Sequence, residues 1–149
     1  IIYVPPLILW MSGRIEPFRE MVFTVMLTFF AHYLFFIFFP VQGPRYLFPQ
    51  PDGVIAGGAI FQFTHLVLEA GSSQGAAFPS SHVGVAFAQT ALAARYLPRL
   101  APWVFVVSIA LAISTVYGGF HYAIDAIGGL VLAVVCVSLA PRLRRLLAG

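Results

Sequence analysis

The sequence predicts an all-α protein, a polytopic bundle of transmembrane helices. Of its 149 residues, 60% are hydrophobic and only 9% are charged, whereas a soluble domain carries about 25% charged residues. Several apolar runs approach the roughly 20 residues that span a bilayer. The single cysteine, Cys136, lies inside such a run, so we expect neither a disulfide framework nor a thiolate metal site.

The elements follow one another along a single domain of residues 1–149. Residues 1–13 contain Pro5–Pro6 and no basic leader, which predicts the end of an earlier span rather than a signal peptide, with one or more N-terminal spans lacking from this chain. Residues 54–69 are helical in period but short and glycine-bearing, which predicts an interfacial or re-entrant helix. Four other segments have the length and composition of spans: 20–40, 80–97, 102–117 and 122–140.

The arginines predict which end of the bundle faces the cytoplasm. The chain has eight basic residues, all arginine, against five acidic ones. If residues 54–69 do not cross the membrane, seven arginines fall on one side, which the positive-inside rule makes cytoplasmic. Arg45 alone lies on the opposite, extracytoplasmic face. Because the arginines mark span ends, we expect membrane lipids and no nucleic acid as partners.

Six polar side chains gather on that outer face, in the loop-to-helix junctions 41–46, 78–84 and 117–129: Arg45, Ser80, Ser81, His82, His121 and Asp125. His121 and Asp125 are four residues apart and would share a helix face. The carboxylate can then orient the imidazole and raise the basicity of its other nitrogen, as a nucleophile requires. A polar pair that satisfies itself at the membrane surface explains the spacing equally well. A metal site is disfavoured, since ligands are few and Arg45 would repel a cation.

The stretch Pro79-Ser80-Ser81-His82 predicts a helix start with a serine N-cap. A helix N-terminus also offers free backbone amides and a positive dipole end to a phosphate. His82 in the first turn can donate a proton to a leaving oxygen. Arg45 suits phosphate oxygens, or it anchors the chain to lipid headgroups. Together these groups are what a phosphohistidine mechanism needs, with no metal and no cofactor.

Three further features carry structural expectations. His32 lies among Phe and Tyr residues in the middle of the 20–40 span, where we expect a packed, neutral histidine that hydrogen-bonds between helices. Gly128–Gly129 predicts a close approach of two helices. Gly118–Gly119 is expected to free the backbone beside His121, where a phosphate must come close.

These motifs resemble the type 2 phosphatidic acid phosphatase superfamily, whose signature is K-x6-R-P, then P-S-G-H, then S-R-x5-H-x3-D. The chain has Pro79-Ser80-Ser81-His82, followed by Ser114-Thr115, five residues, His121, three residues and Asp125. The resemblance covers residues 20–140. It implies that His121 is the nucleophile, that Asp125 orients it and that His82 is the general acid. It also implies phosphate contacts from Ser80, the Ser81 amide and Arg45, with Gly119, Tyr122 and Thr115 as candidate lining residues.

The chain departs from that signature at four positions. Phe38 stands where the first lysine would fall, and Tyr46 rather than proline follows Arg45. Thr115 replaces the third-motif arginine, and Ser81 replaces the glycine. The GPRY and HYAID segments are similar to the branch that contains inositol phosphorylceramide synthases. That branch implies transfer to an alcohol as an alternative to hydrolysis.

The function expected from the sequence is metal-independent hydrolysis of a lipid-linked phosphate at the extracytoplasmic membrane face. The first alternative is a phosphotransferase that moves a phospho-headgroup to a lipid or sugar hydroxyl. The second is a non-catalytic lipid-binding or transport bundle that keeps the histidines but has lost the cations. All three imply a lipid phosphate as the bound molecule.

Overall fold

The computed structural model describes residues 2–49, 58, 62 and 74–148. The regular secondary structure of this part of the chain is helical, apart from one parallel bridge between Val41 and Ala76. The all-α fold class is confirmed. The helices of eight residues or more, and one short helix, that lie wholly within the described residues are α1 Val4–Met11, α2 Ile15–Phe38, α3 Pro44–Leu47, α4 Ser81–Tyr96, α5 Ala101–Tyr117 and α6 Ala123–Ala148.

Two helices in the described part of the chain, α2 and α6, are long and apolar enough to cross a membrane. Helix α5 is also apolar but shorter, with 17 residues. Large hydrophobic side chains stay exposed along these helices, among them Phe30 and Leu34 on α2 and Val131 and Val134 on α6. In water such surfaces would be unfavourable, whereas a lipid environment accepts them. The fold therefore fits a membrane bundle.

Several helix boundaries differ from the predicted segments for local reasons. Helix α2 begins at Ile15 rather than at residue 20, because Pro17 lies in the first turn, where its missing N–H costs no hydrogen bond. Helix α6 continues through Pro141 to Ala148 instead of ending at residue 140. The short helix α1 turns into α2 at Gly13, whose φ of 68° is the left-handed conformation that glycine adopts readily. The segment 54–69 lies outside the described residues, apart from positions 58 and 62.

Helix α4 lies at the centre and contacts α2, α5 and α6. Its buried residues are mostly small, which lets the neighbouring helices come close. The close approach predicted for Gly128–Gly129 is confirmed. A Cβ on Gly129 would collide with the Ser80 carbonyl, and one on Gly128 would lie 2.7 Å from the Phe78 ring. These glycines thus seat the start of α4 directly against α6.

Arginines and glutamates collect at one end of the bundle, which we call the arginine end. Glu16 and Glu20 near the start of α2 pair with Arg95 at the end of α4 and with Arg144 near the end of α6. The pairs measure 2.9 Å for Arg95–Glu20, 3.0 Å for Arg144–Glu16 and 3.4 Å for Arg144–Glu20. The loops that precede α3, α4 and α6 lie at the opposite end, the site end.

Candidate active site

Three loops meet at the site end and are joined there by their main chains. They are the same junctions whose side chains the sequence singles out. Each is held by backbone hydrogen bonds of 2.9 to 3.1 Å: Ala77 N–H to the Val41 carbonyl, Arg45 N–H to the Gly119 carbonyl, and Ser80 N–H to the Asp125 carbonyl.

His121 lies in the loop just before α6 and is only 6% exposed. Its backbone N–H donates to the Thr115 carbonyl at 3.1 Å. Its ring Nδ1 lies 2.8 Å from the Ala77 carbonyl. Because a carbonyl oxygen can only accept, Nδ1 carries the hydrogen of this bond, and in the neutral ring Nε2 keeps its lone pair. Nε2 is therefore the ring nitrogen of His121 that keeps a free lone pair.

Asp125 differs from the arrangement that the spacing predicts. His121 precedes the helix, so the two side chains do not share a helix face, and Asp125 Oδ2 lies 3.6 Å from His121 Nδ1. That is too long for a hydrogen bond. Asp125 Oδ2 instead accepts from the Tyr122 N–H at 2.7 Å, the return half of a capping box at the N-terminus of α6. Asp125 thus acts on His121 by its charge, while the Ala77 carbonyl fixes the ring.

The acid–base state of His121 follows from its surroundings. Burial lowers the pKa of His121 below its usual value, and the neighbouring His82 lowers it further. The hydrogen bond to the Ala77 carbonyl and the Asp125 carboxylate oppose this shift without cancelling it. The neutral ring, which a nucleophile requires, is therefore favoured to lower pH than in an ordinary histidine.

His82 is the neighbouring ring on α4. The centroids of the His82 and His121 rings are 5.9 Å apart, with 59° between their planes. His82 is exposed, whereas His121 is buried. The structure thus brings together two histidines in different environments, which allows them different roles in proton transfer.

The two serines have separate positions at the start of α4. Ser80 is the N-cap, as the sequence predicts, and its Oγ accepts from the Val83 N–H at 3.5 Å. It is wholly buried, with its own N–H bound to the Asp125 carbonyl. Ser81 is the first residue of the helix and is half-buried. Ser80 therefore stabilises the turn from its buried side, and Ser81 lies nearer the surface of the turn.

Arg45 joins the site from the short helix α3. Its guanidinium carbon lies 6.0 Å from the centre of the Phe120 ring, within reach of a cation–π contact. The Gly119 carbonyl that accepts its N–H belongs to a residue with φ 72°, a left-handed conformation that favours glycine. Gly119 thus shapes the loop that carries both Phe120 and His121.

Other sequence-predicted positions contribute through the backbone or lie outside the cluster. The Thr115 hydroxyl donates to the Ala112 carbonyl at 2.9 Å, so this side chain turns back onto α5. Tyr122 is half-buried and contributes its N–H to Asp125. Phe38 is 71% exposed near the end of α2. Sequence reasoning missed the Ala77 carbonyl, because a backbone acceptor leaves no trace in residue type.

Comparison with known proteins gives one match. The family model described as the PAP2 superfamily matches residues 1–139. No curated protein and no solved structure matches the chain. Membership of this superfamily supports phosphatase-type chemistry on lipid phosphates. The match covers all of the motifs and the loops that carry them, and the chain belongs to the type 2 phosphatidic acid phosphatase superfamily.

Proposed function

We propose that the protein cleaves the phosphate ester of a membrane lipid through a covalent phosphohistidine on His121. One observation carries the proposal. His121 is buried and donates its Nδ1–H to the Ala77 carbonyl, which leaves Nε2 as the nitrogen with a lone pair. A second histidine, His82, lies beside it with a ring-centroid distance of 5.9 Å.

In the first half-reaction, the Nε2 lone pair of His121 attacks phosphorus and forms the N–P bond as the ester P–O bond breaks. Protonated His82 donates its proton to the departing alkoxide, which leaves as an alcohol. The phosphorylated imidazole keeps its Nδ1–H on the Ala77 carbonyl. It carries a positive charge, which the Asp125 carboxylate at 3.6 Å stabilises.

In the second half-reaction, water attacks phosphorus and the N–P bond breaks. His82, now neutral, takes a proton from the water, and inorganic phosphate leaves. His121 returns to its neutral form with the lone pair on Nε2. The exposed position of His82 supports this exchange, because both the leaving alcohol and the incoming water must reach it.

The negative charge of the transferring group needs donors fixed in place. The first amides of α4 point out of the helix end, because the first turn has no preceding carbonyls within the helix. We assign phosphate contacts to the Ser81 and His82 amides and to the Arg45 guanidinium. Ser80 supports them from below as the buried N-cap.

We also propose that the site faces the extracytoplasmic side of the membrane and that α2, α4, α5 and α6 each cross it. The positive-inside rule supports this orientation, because Arg14, Arg19, Arg95 and Arg144 all lie at the arginine end, remote from the histidines. The lipid tail would lie along the exposed apolar helix faces while its phosphate reaches the site end.

The direct test is to trap the intermediate. Purified protein is mixed briefly with phosphatidic acid labelled with ³²P in its phosphate and quenched in base, which preserves a phosphoramidate. We expect labelled protein that loses its label in acid, together with free phosphate. Ser138→Ala serves as the control, since this hydroxyl bonds only the Val134 carbonyl on the outer surface of α6. Phosphate release without any labelled protein under rapid quenching would contradict the covalent step.

A second function, phosphotransfer to an alcohol, is favoured by one observation. The GPRY and HYAID segments of this chain are similar to the branch that contains inositol phosphorylceramide synthases. The same phosphohistidine would then be attacked by a lipid or sugar hydroxyl in place of water. Incubation with phosphatidic acid, with and without inositol or a long-chain alcohol, separates the two. Full release of phosphate without acceptor would exclude obligatory transfer.

A further inference from the structure

His32 is a buried histidine that the proposed mechanism does not use. It lies on α2 below the site end and is wholly buried. With Thr24 and Thr28 it forms a polar stripe on one helix face, in which each side chain donates to the carbonyl four residues earlier. His32 Nδ1 donates to the Thr28 carbonyl at 2.7 Å. This bond lies within α2, whereas the sequence predicts one between helices.

The far edge of the His32 ring faces the first turn of α4. Its Cε1 and Nε2 are the atoms that a Cβ on Gly84 would strike, so only glycine fits there. The Ser80 carbonyl also lies beside the ring. Among the described residues, none lies in full hydrogen-bonding geometry to Nε2, and the Ser80 carbonyl is its polar neighbour. The Thr28 bond therefore fixes the ring plane, and the opposite edge is pressed against residues 80–84.

That turn carries the chemistry assigned above. Ser80 donates its N–H to the Asp125 carbonyl at 2.9 Å, and its carbonyl accepts the Gly84 N–H at 2.9 Å. His82 lies between these two anchored residues. The turn is thus held by α6 on one side and meets His32 on another. A displacement of about 1 Å at such a point costs roughly a hundredfold in rate.

We propose that His32 is a positioning residue for the phosphate-binding turn 80–84. This inference rests on the proposed function and deepens it. Contact with the Cε1–Nε2 edge of the His32 ring fixes the distance between this turn and α2. That distance in turn fixes the positions of the Ser81 and His82 amides and of the His82 ring. His32 does not touch the substrate and takes no part in proton transfer.

Two amide substitutions test whether the length of the His32 side chain, which brings it to Gly84, matters apart from its polar character. The amide of His32→Asn can still bind the Thr28 carbonyl but is too short to touch Gly84, whereas His32→Gln extends as far as Nε2. For His32→Asn we expect kcat with phosphatidic acid to fall about 10- to 100-fold and orthovanadate, a phosphate mimic, to bind about tenfold more weakly. For His32→Gln we expect values near those of the wild type.

Thr24→Val is the matched control, because it removes a hydroxyl from the same stripe about 12 Å along the helix. We expect it to leave kcat and vanadate binding unchanged. Wild-type kcat and vanadate affinity in His32→Asn would overturn the proposal. Equal losses in Thr24→Val would also overturn it, since they would show a general packing effect.

Gly84→Ala tests the same contact from the α4 side. Its methyl group meets the His32 edge and also lies 3.0 Å from the Gly129 carbonyl oxygen, so we expect losses at least as large as those of His32→Asn. In the double variant, the shorter Asn removes the contact on the His32 side, and vanadate affinity should partly recover. If the fold losses in vanadate affinity of the two single variants simply multiply in the double variant, the proposed contact between His32 and Gly84 is wrong. Vanadate binding, measured by calorimetry, needs no turnover. A protein without phosphate release but with His32-dependent vanadate binding would refute the hydrolysis and retain the positioning role.

Discussion

The two ends of the bundle handle their polar groups in opposite ways. At the arginine end, long flexible side chains form ion pairs of 2.9 to 3.4 Å; Arg95 and Glu16 are 60% and 68% exposed, whereas Glu20 is 13% exposed. At the site end, His121, Asp125 and Ser80 are buried and bound mainly to backbone atoms. Exposed pairs exchange easily with water and contribute little. Buried groups held by the main chain have one arrangement and lose much when it is broken. Function should therefore depend on one end far more than on the other.

The largest effect should come from His121→Ala at the site end. We expect kcat to fall at least about a thousandfold, the scale of losing a nucleophile, with lipid and with aryl phosphate substrates alike, and no labelled intermediate to form. Rates are measured by phosphate release, and folding by circular dichroism. Activity retained in a folded His121→Ala variant would contradict the mechanism. Lipid binding without turnover in the wild type would support a non-catalytic bundle.

His82→Ala should have the next largest effect, and one that depends on the leaving group. Loss of a general acid costs about 10²- to 10⁴-fold when an alkoxide departs from phosphatidic acid. p-Nitrophenolate leaves without protonation, so the first half-reaction with p-nitrophenyl phosphate should be nearly normal. We expect a burst of nitrophenol followed by slow turnover. If the first half-reaction slows equally with phosphatidic acid and with p-nitrophenyl phosphate, His82 has a role other than general acid.

Asp125→Asn should have a moderate effect and move the pH profile. The amide oxygen can still accept the Tyr122 N–H, so the cap survives while the charge is lost. Because the Asp125 carboxylate raises the pKa of His121, its removal lowers that pKa. The acid limb of kcat/KM, which follows the pKa of His121, should then move to lower pH. We expect kcat to fall about 10- to 100-fold, since the nitrogen becomes less basic. A limb that moves upward would contradict this electrostatic role.

The smallest effect should come from Arg95→Gln at the arginine end. This change removes the pair between the exposed Arg95 side chain and Glu20, whose carboxylate keeps Arg144 at 3.4 Å. Such a pair contributes about 0.2 to 1 kcal/mol. We expect an unchanged kcat and a melting temperature within a few degrees of the wild type, with a difference that shrinks in high salt. A large loss of activity would show that the two ends are coupled and would break the comparison.

The positions of the helices are predictable because long apolar runs mark them. The residues at which the helices end are less predictable. Pro141 reads as a helix end, since proline lacks an N–H. Yet α6 continues past it, and Arg144 there reaches Glu16 and Glu20 on α2. Partners more than 120 residues away leave no local pattern. Long-range pairing therefore limits how well a helix terminus can be read from the residues beside it.

The candidate site shows the same limit at finer scale. Motif spacing predicts His82, His121 and Asp125, and the structure brings these three together. Spacing cannot predict that the Ala77 carbonyl rather than the Asp125 carboxylate binds His121 Nδ1, because every residue has a carbonyl. Nor does it predict that His32 lies under α4, since that depends on how α2 packs. The sequence therefore predicts which side chains form the site, but not which backbone atoms orient them.

The hydrogen bond from Ser80 N–H to the Asp125 carbonyl also bears on the bilayer. A membrane that becomes thinner or thicker makes its helices tilt. Because this main-chain bond ties the start of α4 to the first turn of α6, both ends move together when the helices tilt. We therefore expect the gap between the two histidines to change little with bilayer thickness, and the proposed reaction to run at similar rates in membranes of different lipid composition.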